Sequence, residues 1–309
     1  MKIGVIGLGS IAQKAYLPVY TSHFPELDWY FSTRSEDKLK EMGSKYGVPE
    51  EHLFTRWQEL IGIVDAVFIH TPTETHEEVG RAFLDLNIPV FIDKPLTENI
   101  SATRRLLEHA EKQNTMLMTG FNRRFAPMIR EMKEVPGKNH ILSQKNQVDR
   151  TDFDVRYRIY DMMIHPLDTA LYLLDEPAEV VQSQVVSENG HFSRAWVMLE
   201  TSETTAYVSI NNESGTKLET YEVQSRSGTV VLENLTDKAV YTDKGTMLIK
   251  AGDWVTTLEK RGFVPMIKAF LNAVDKKGEN PVSISSALLS HEICEKIISK
   301  YEKETESAR

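Results

Sequence analysis

In the first 120 residues, largely apolar runs at 3–6, 27–31, 64–70, 88–92 and 115–120 are rich in β-branched and aromatic residues. Such short runs predict strands buried on both faces, as in a parallel sheet. Between them apolar residues recur three and four apart, over 36–46, at Val79, Ala82, Phe83 and Leu86, and at Ala102, Leu106, Leu107 and Ala110. Alternating strands and helices predict a doubly wound α/β domain, a Rossmann-type parallel sheet, over residues 1–121. From about residue 178 the pattern becomes one of longer alternating runs, at 180–186, 195–200, 205–210, 221–224, 229–232 and 247–250. These predict an α+β domain over 122–309, its largely antiparallel open sheet covered by helices on one face. Two helices belong to that half, one marked by Phe263, Ile267, Phe270, Leu271 and Val274, the other running from Leu289 to Tyr301. The domain boundary falls at Gly120 to Asn122.

Polar chemistry collects where the predicted strands end. The first strand runs into Gly7-Leu8-Gly9-Ser10-Ile11-Ala12, a G-x-G-x-x-A loop that opens a helix. Here the first glycine permits the tight turn, the second admits a pyrophosphate to the backbone, and a small third residue lets helix and strand pack closely. The second strand ends in Ser32, Thr33 and Arg34, with no acid before Glu36. Hydroxyls and an arginine suit a ribose 2′-phosphate, so NADP(H) is favoured over NAD(H). Ser35 is placed to cap the next helix. The third strand leads to Thr71, Pro72 and His76, with Thr75 and Glu78 at capping-box spacing. Thr71 and Pro72 are candidates for the cofactor's ribose or nicotinamide side, and His76 is either a ligand-facing residue or a satisfied first-turn histidine.

The fourth strand ends in Asp93-Lys94-Pro95-Leu96. Ligands of open α/β sheets bind outside the carboxyl ends of the strands, so Lys94 is either a ligand-facing cation or a solvated turn residue. Pro95 biases Lys94 towards extended geometry. The fifth strand leads into Phe121-Asn122-Arg123-Arg124-Phe125-Ala126-Pro127, a polar and doubly basic cluster.

Composition narrows the classes. A net charge of −9 and a pI near 5.6 argue against nucleic acid as a partner. The single cysteine, Cys294, predicts a reducing compartment, the cytoplasm, and its apolar surroundings predict a structural thiol. No apolar run approaches bilayer length, no secretory signal pattern is expected, and the nine histidines show no metal-ligand spacing.

The ordered set formed by the glycine loop, Thr71-Pro72 with His76, Asp93-Lys94-Pro95-Leu96 and the segment from Gly120 to Pro127 resembles the Gfo/Idh/MocA oxidoreductases. The likeness is dense over the amino-terminal domain and looser beyond. It implies hydride exchange between NADP(H) or NAD(H) and a carbinol or carbonyl carbon of a sugar-like or cyclitol-like small molecule. It assigns Lys94 to the nicotinamide ribose and substrate hydroxyl, and it places Asp93, Asn122 and Arg123 beside the cofactor. The family's second signature implies a substrate pocket at Asp161, His165 and Asp168. That spacing puts the three on one face of a straight helix, and a histidine flanked by carboxylates can exchange a proton near neutral pH. Without the resemblance, His165 could equally be a packed structural residue. The sheet of the second domain implies a homo-oligomer, a dimer or tetramer.

Two departures stand out. Asp93 replaces the family's usual glutamate, and Arg156-Tyr157-Arg158-Ile159 with Met163 stands where glycines are usual. Arg123, Arg124, Arg156 and Arg158 either favour an anionic substrate or pair with acids. The altered segment keeps open a dinucleotide-binding regulator without turnover, and a second alternative is redox-neutral, NAD-dependent glycoside cleavage.

Overall fold

The computed structural model describes residues 1–148 and 153–307, which form two compact units. The first comprises Met1–Gly120 and Phe263–Leu288, the second Phe121–Gly262 and the chain from Leu289 onward.

The first unit is built on six parallel strands: β1 (Lys2–Ile6), β2 (Asp28–Ser32), β3 (Leu53–Phe54), β4 (Ala66–Ile69), β5 (Val90–Asp93) and β6 (Leu117–Gly120). Their order, β3-β2-β1-β4-β5-β6, is that of a doubly wound nucleotide-binding sheet, with the chain reversing direction beside β1. β4 is buried throughout, as its unbroken apolar run requires. The helix Glu36–Tyr46 matches its expected limits, with Ser35 accepting from the Lys38 amide and Gly47 closing the end at φ 68°. The helix after the glycine loop widens into a π turn at Ala12–Tyr16 before Leu17–His23. Pro18 lies just beyond and has no N–H to continue an α ladder, so the wider turn absorbs the lost bond.

Helix Phe263–Asp275 belongs to this first unit, whereas the linear division places it in the second domain. Aromatic packing explains the correction: Phe270 lies 4.9 Å from the Phe68 ring and 5.6 Å from Phe91, and Phe263 lies 5.3 Å from Tyr16. A period-3.6 pattern marks a buried face but not the sheet that buries it.

The second unit holds β7 (Lys138–Asn146), β8 (Glu179–Glu188), β9 (His191–Glu200), β10 (Thr205–Asn211), β11 (Glu219–Ser225), β12 (Gly228–Glu233), β13 (Asp237–Thr242) and β14 (Gly245–Lys250), ordered β14-β13-β12-β11-β7-β10-β9-β8. All neighbours are antiparallel except β7 and β10. The central strand β7 escapes the sequence reading because Lys-Asn-His-Ile-Leu-Ser-Gln-Lys-Asn contains only two apolar residues, Ile141 and Leu142. Against this sheet lies the segment Val155–Arg158, π turn Ile159–Met163 and helix Ile164–Leu173, where Ser143 of β7 donates to the Pro166 carbonyl at 2.8 Å. Cys294 is fully buried, and burial pushes its thiol up, as a structural role requires. Among the described residues no helix is long and apolar enough to cross a membrane.

Candidate active site

In the first unit a cavity of about 340 Å³ opens over the carboxyl ends of β1, β2 and β4. It brings together Gly7, Gly9, Ser32, Thr33, Arg34, Thr71 and Pro72 and adds Lys38, which the sequence reading missed. Gly7 sits at φ +92°, its amide donating to Ser32 O at 2.9 Å, and a Cβ there would lie 2.7 Å from the His70 carbonyl carbon. Only glycine fits this turn. At Gly9, by contrast, a Cβ would meet nothing within 4 Å, leaving the backbone open to a phosphate. Ser10 and Ile11 stand exposed where the helix begins, while Ala12 is buried, as close packing of helix on strand demands. Several hydroxyls, two cations and an open glycine loop suit a dinucleotide, with Arg34 and Lys38 available to its phosphates.

His70, which also lines the cavity, is buried, its Nε2 2.8 Å from the Tyr20 hydroxyl and its ring 4.0 Å from that of Tyr16. Burial depresses its pKa to about 3, so the ring is neutral. His76 is also buried. Its Nδ1 lies 3.1 Å from the carbonyls of both Pro95 and Leu96, and its Nε2 2.9 Å from that of Thr71. The ring ties the Thr71-Pro72 turn to the loop after β5, which is the satisfied reading of His76. The capping box is not formed: the Thr75 hydroxyl donates towards Thr71 Oγ1 at 2.7 Å and Pro72 O at 2.8 Å, because Thr75 ends a 3₁₀ turn in helical geometry. Asp93 Oδ1 accepts from the Tyr16 hydroxyl at 2.8 Å and from the Lys94 amide at 2.9 Å. Burial raises its pKa, against the pull of Lys94 and these hydrogen bonds. Asp93 thus fixes the backbone on which half-buried Lys94 stands, and the Lys94–Pro95 peptide is cis.

In the second unit the residues of the second motif separate by role. Asp161 and His165 are half-buried, whereas Asp168 is 1% exposed. The π turn at Ile159–Met163 precedes Pro166 and breaks the straight-helix register on which a shared face depended. Arg124 grips both Asp168 oxygens at 2.9 and 2.5 Å, and Ser290 donates to Oδ1 at 2.8 Å. Asp168 therefore anchors the helix from within. Asp161 lies 3.3 Å from Arg158 Nη1.

Asn122 and Arg123, expected beside the cofactor, hold partners within the second unit. Asn122 Nδ2 donates to the Arg261 carbonyl at 2.8 Å. Arg123 binds the Glu219 carboxylate through Nε and, at 3.0 Å, through Nη2, and its Nη1 donates to His165 Nδ1 at 2.7 Å. Glu219 also accepts from the Tyr221 hydroxyl at 2.5 Å and lies 3.3 Å from both Lys145 and Arg261. Despite burial its pKa is held well below the carboxylate range by Arg123, Lys145 and Arg261. Sequence reasoning missed Glu219, Lys145 and Arg261, which lie far apart in the chain: Lys145 faces Glu219 through the pairing of β7 with β11, and Arg261 reaches the same carboxylate from outside the sheet. Arg156 is paired with Glu295 and Glu302.

Residues 1–121 match the model of the oxidoreductase family with an NAD-binding Rossmann fold, Gfo/Idh/MocA. The YceM protein of Salmonella typhimurium is 30% identical over 96% of both chains. The myo-inositol 2-dehydrogenase of Thermotoga maritima is 35% identical over 59% of this chain and 57% of its own length. The structure of the dehydrogenase MviM from Clostridium difficile superposes with a TM-score of 0.91 at 30% identity, covering 97% of this chain and 99% of that one. Likeness of sequence and of fold along nearly the whole chain thus shows that the chain belongs to the Gfo/Idh/MocA family of NAD-binding oxidoreductases, in its MviM-like branch.

Proposed function

We propose that the protein exchanges a hydride between NADP(H) and a carbinol or carbonyl carbon of a sugar-like or cyclitol-like compound. The observation that carries this reading is the cavity over β1, β2 and β4, where glycine loop, hydroxyls, Arg34 and Lys38 converge. Arg34 and Lys38, with Ser32 and Thr33, favour the 2′-phosphate of NADP(H) over the bare ribose of NAD(H). The similarity to a myo-inositol dehydrogenase supports the polyol class. When bound, the nicotinamide supplies or accepts the hydride.

The chain's own residues do the rest. Lys94, set by Asp93, binds the reacting oxygen and stabilises negative charge on it. A guanidinium donates and never accepts, so Arg123 leaves His165 Nδ1 unprotonated and the neutral ring carries its proton on Nε2. Nε2–H then meets the substrate oxygen as a donor, an arrangement that favours carbonyl reduction. Asp161 binds a neighbouring hydroxyl, while Asp168 acts through Arg124 as a positioning residue.

Exposed apolar side chains on β13 and β14, Tyr241 at 45%, Met247 at 56% and Leu248 at 73%, support packing against a second copy of the chain. A cytoplasmic setting accords with the buried, unpaired Cys294.

The test is fluorescence titration with NADPH and NADH, followed by a broad screen of polyols and keto-sugars at 340 nm. Lys94→Ala and His165→Ala should keep the fold and lose turnover. Absence of binding by either dinucleotide, or full activity in either variant, would refute the assignment.

A further inference from the structure

We propose that Lys145 and Arg261, gathered with Arg123 around the carboxylate of Glu219, bind an acidic group carried by the substrate, a carboxylate or a phosphate on its sugar or cyclitol skeleton. The inference rests on the oxidoreductase reading above and names the substrate class within it.

Lys145 Nζ and Arg261 Nη2 each lie 3.3 Å from Glu219 Oε2, and Arg123 Nη2 lies 3.0 Å from the same oxygen. With Lys145 protonated, three cations around one carboxylate leave an excess of two positive charges. The groups are poorly hydrated: the Lys145, Arg123 and Glu219 side chains are 11, 5 and 6% exposed. Excess charge away from water is costly unless a counter-ion completes the set. Arg261, with its side chain 33% exposed, gives the cluster an opening.

The cluster is also placed for substrate. Arg123 Nη1 lies 2.7 Å from His165 Nδ1, so one guanidinium separates the proposed catalytic ring from the carboxylate that Lys145 and Arg261 share. An acidic group held there would sit on a carbon near the reacting one. Arg124 and Arg156 do not compete for this role, since Asp168 takes the first and Glu295 and Glu302 the second.

The titration of Lys145 is consistent. Burial, then Arg123, lowers its pKa to about 7; Glu219 opposes this and Arg261 adds to it. Tyr221 also donates to Glu219, and Arg123 also donates to His165 and, at 3.3 Å, to Asn122 Oδ1. An arriving anion favours the charged lysine, so affinity for an acidic ligand should fall as pH rises through about 7.

Calorimetric titration of the NADP(H)-loaded protein with D-glucose, D-glucuronate and D-glucose 6-phosphate tests the proposal. At least one acid should bind tenfold or more tighter than glucose at pH 6, and that advantage should shrink by about an order of magnitude at pH 8. The two acids separate carboxylate from phosphate. Lys145→Met should remove most of the preference, and Arg261→Gln, altering a more exposed group, should reduce it if the first variant folds poorly. Acids that bind no tighter than glucose, or a preference unchanged in both variants, would overturn the subsite. Tight acid binding without hydride exchange by either dinucleotide would sink the oxidoreductase reading instead and leave the subsite standing.

Discussion

Arg123 stands 2.7 Å from His165 through its Nη1 and grips Glu219 with its other two nitrogens, so one buried guanidinium sets both the tautomer of a ring and the charge of a carboxylate. Lysine cannot span both partners, because its ammonium is a point charge without the planar fork. Arg123→Lys should therefore free His165 to exchange its ring proton between nitrogens. A fall in kcat of roughly 10- to 100-fold with little change in KM is expected, part of the roughly 10²–10⁴ that a positioned proton-transfer group supplies. Nitrogen NMR of the ring separates this from a merely structural role: the wild type should show the Nε2–H tautomer and the variant a mixture. An unchanged tautomer with unchanged kcat would count against the assignment.

On the reading proposed above, cofactor choice turns on Arg34 and Lys38, which line the cavity beside Ser32 and Thr33. A charge-assisted hydrogen bond to phosphate is worth about 1.5–3 kcal/mol, or roughly 10- to 100-fold in affinity. Arg34→Ala should weaken NADPH binding by that factor and NADH binding by much less, as read by paired fluorescence titrations. Equal loss for both dinucleotides would place Arg34 on a shared phosphate rather than on the 2′-phosphate.

The amino-terminal unit was legible because its physics is local. Apolar runs give buried strands, Gly7 has a turn only glycine can make, and Ser35 and Gly47 bound a helix with their own side chain and backbone. What escaped was non-local. β7 carries Lys145 on a strand with two apolar residues, held in the sheet by neighbours on both sides, and a hydropathy run cannot see that. Helix Phe263–Asp275 shows its amphipathic face plainly, yet its partner strands lie about two hundred residues earlier. The Asp161/His165/Asp168 spacing indicated a shared face, but a π turn ahead of Pro166 and the distant Arg124 and Ser290 gave Asp168 a different task.

Neutral His70 links folding to pH. Its folded pKa of about 3 lies below the ordinary 6.5, so between these values the unfolded chain binds more protons than the folded one. Stability contributed by the neutral ring is complete above about 6.5 and lost as pH falls towards about 3, with a slope approaching roughly 1.4 kcal/mol per pH unit from this group. His70→Gln cannot take up that proton and should flatten the acid limb of a denaturant-unfolding series across this window. Parallel limbs in variant and wild type would show that other groups dominate acid unfolding.

The buried pair of Arg124 and Asp168 separates structure from chemistry. Both side chains are nearly inaccessible, at 8 and 2%, and the carboxylate is further held by Ser290. Removing one partner strands the other charge away from water, a loss of roughly 3–5 kcal/mol. Asp168→Asn keeps the shape and one acceptor but leaves the guanidinium without its counter-charge, so a marked fall in unfolding free energy is expected. If Asp168 acts only by holding the helix that carries His165, the folded variant assayed at low temperature should keep its pH profile and KM while kcat drops modestly. If the carboxylate instead touches substrate, KM should rise steeply and the pH profile should lose a limb, and the positioning role assigned to Asp168 would fail.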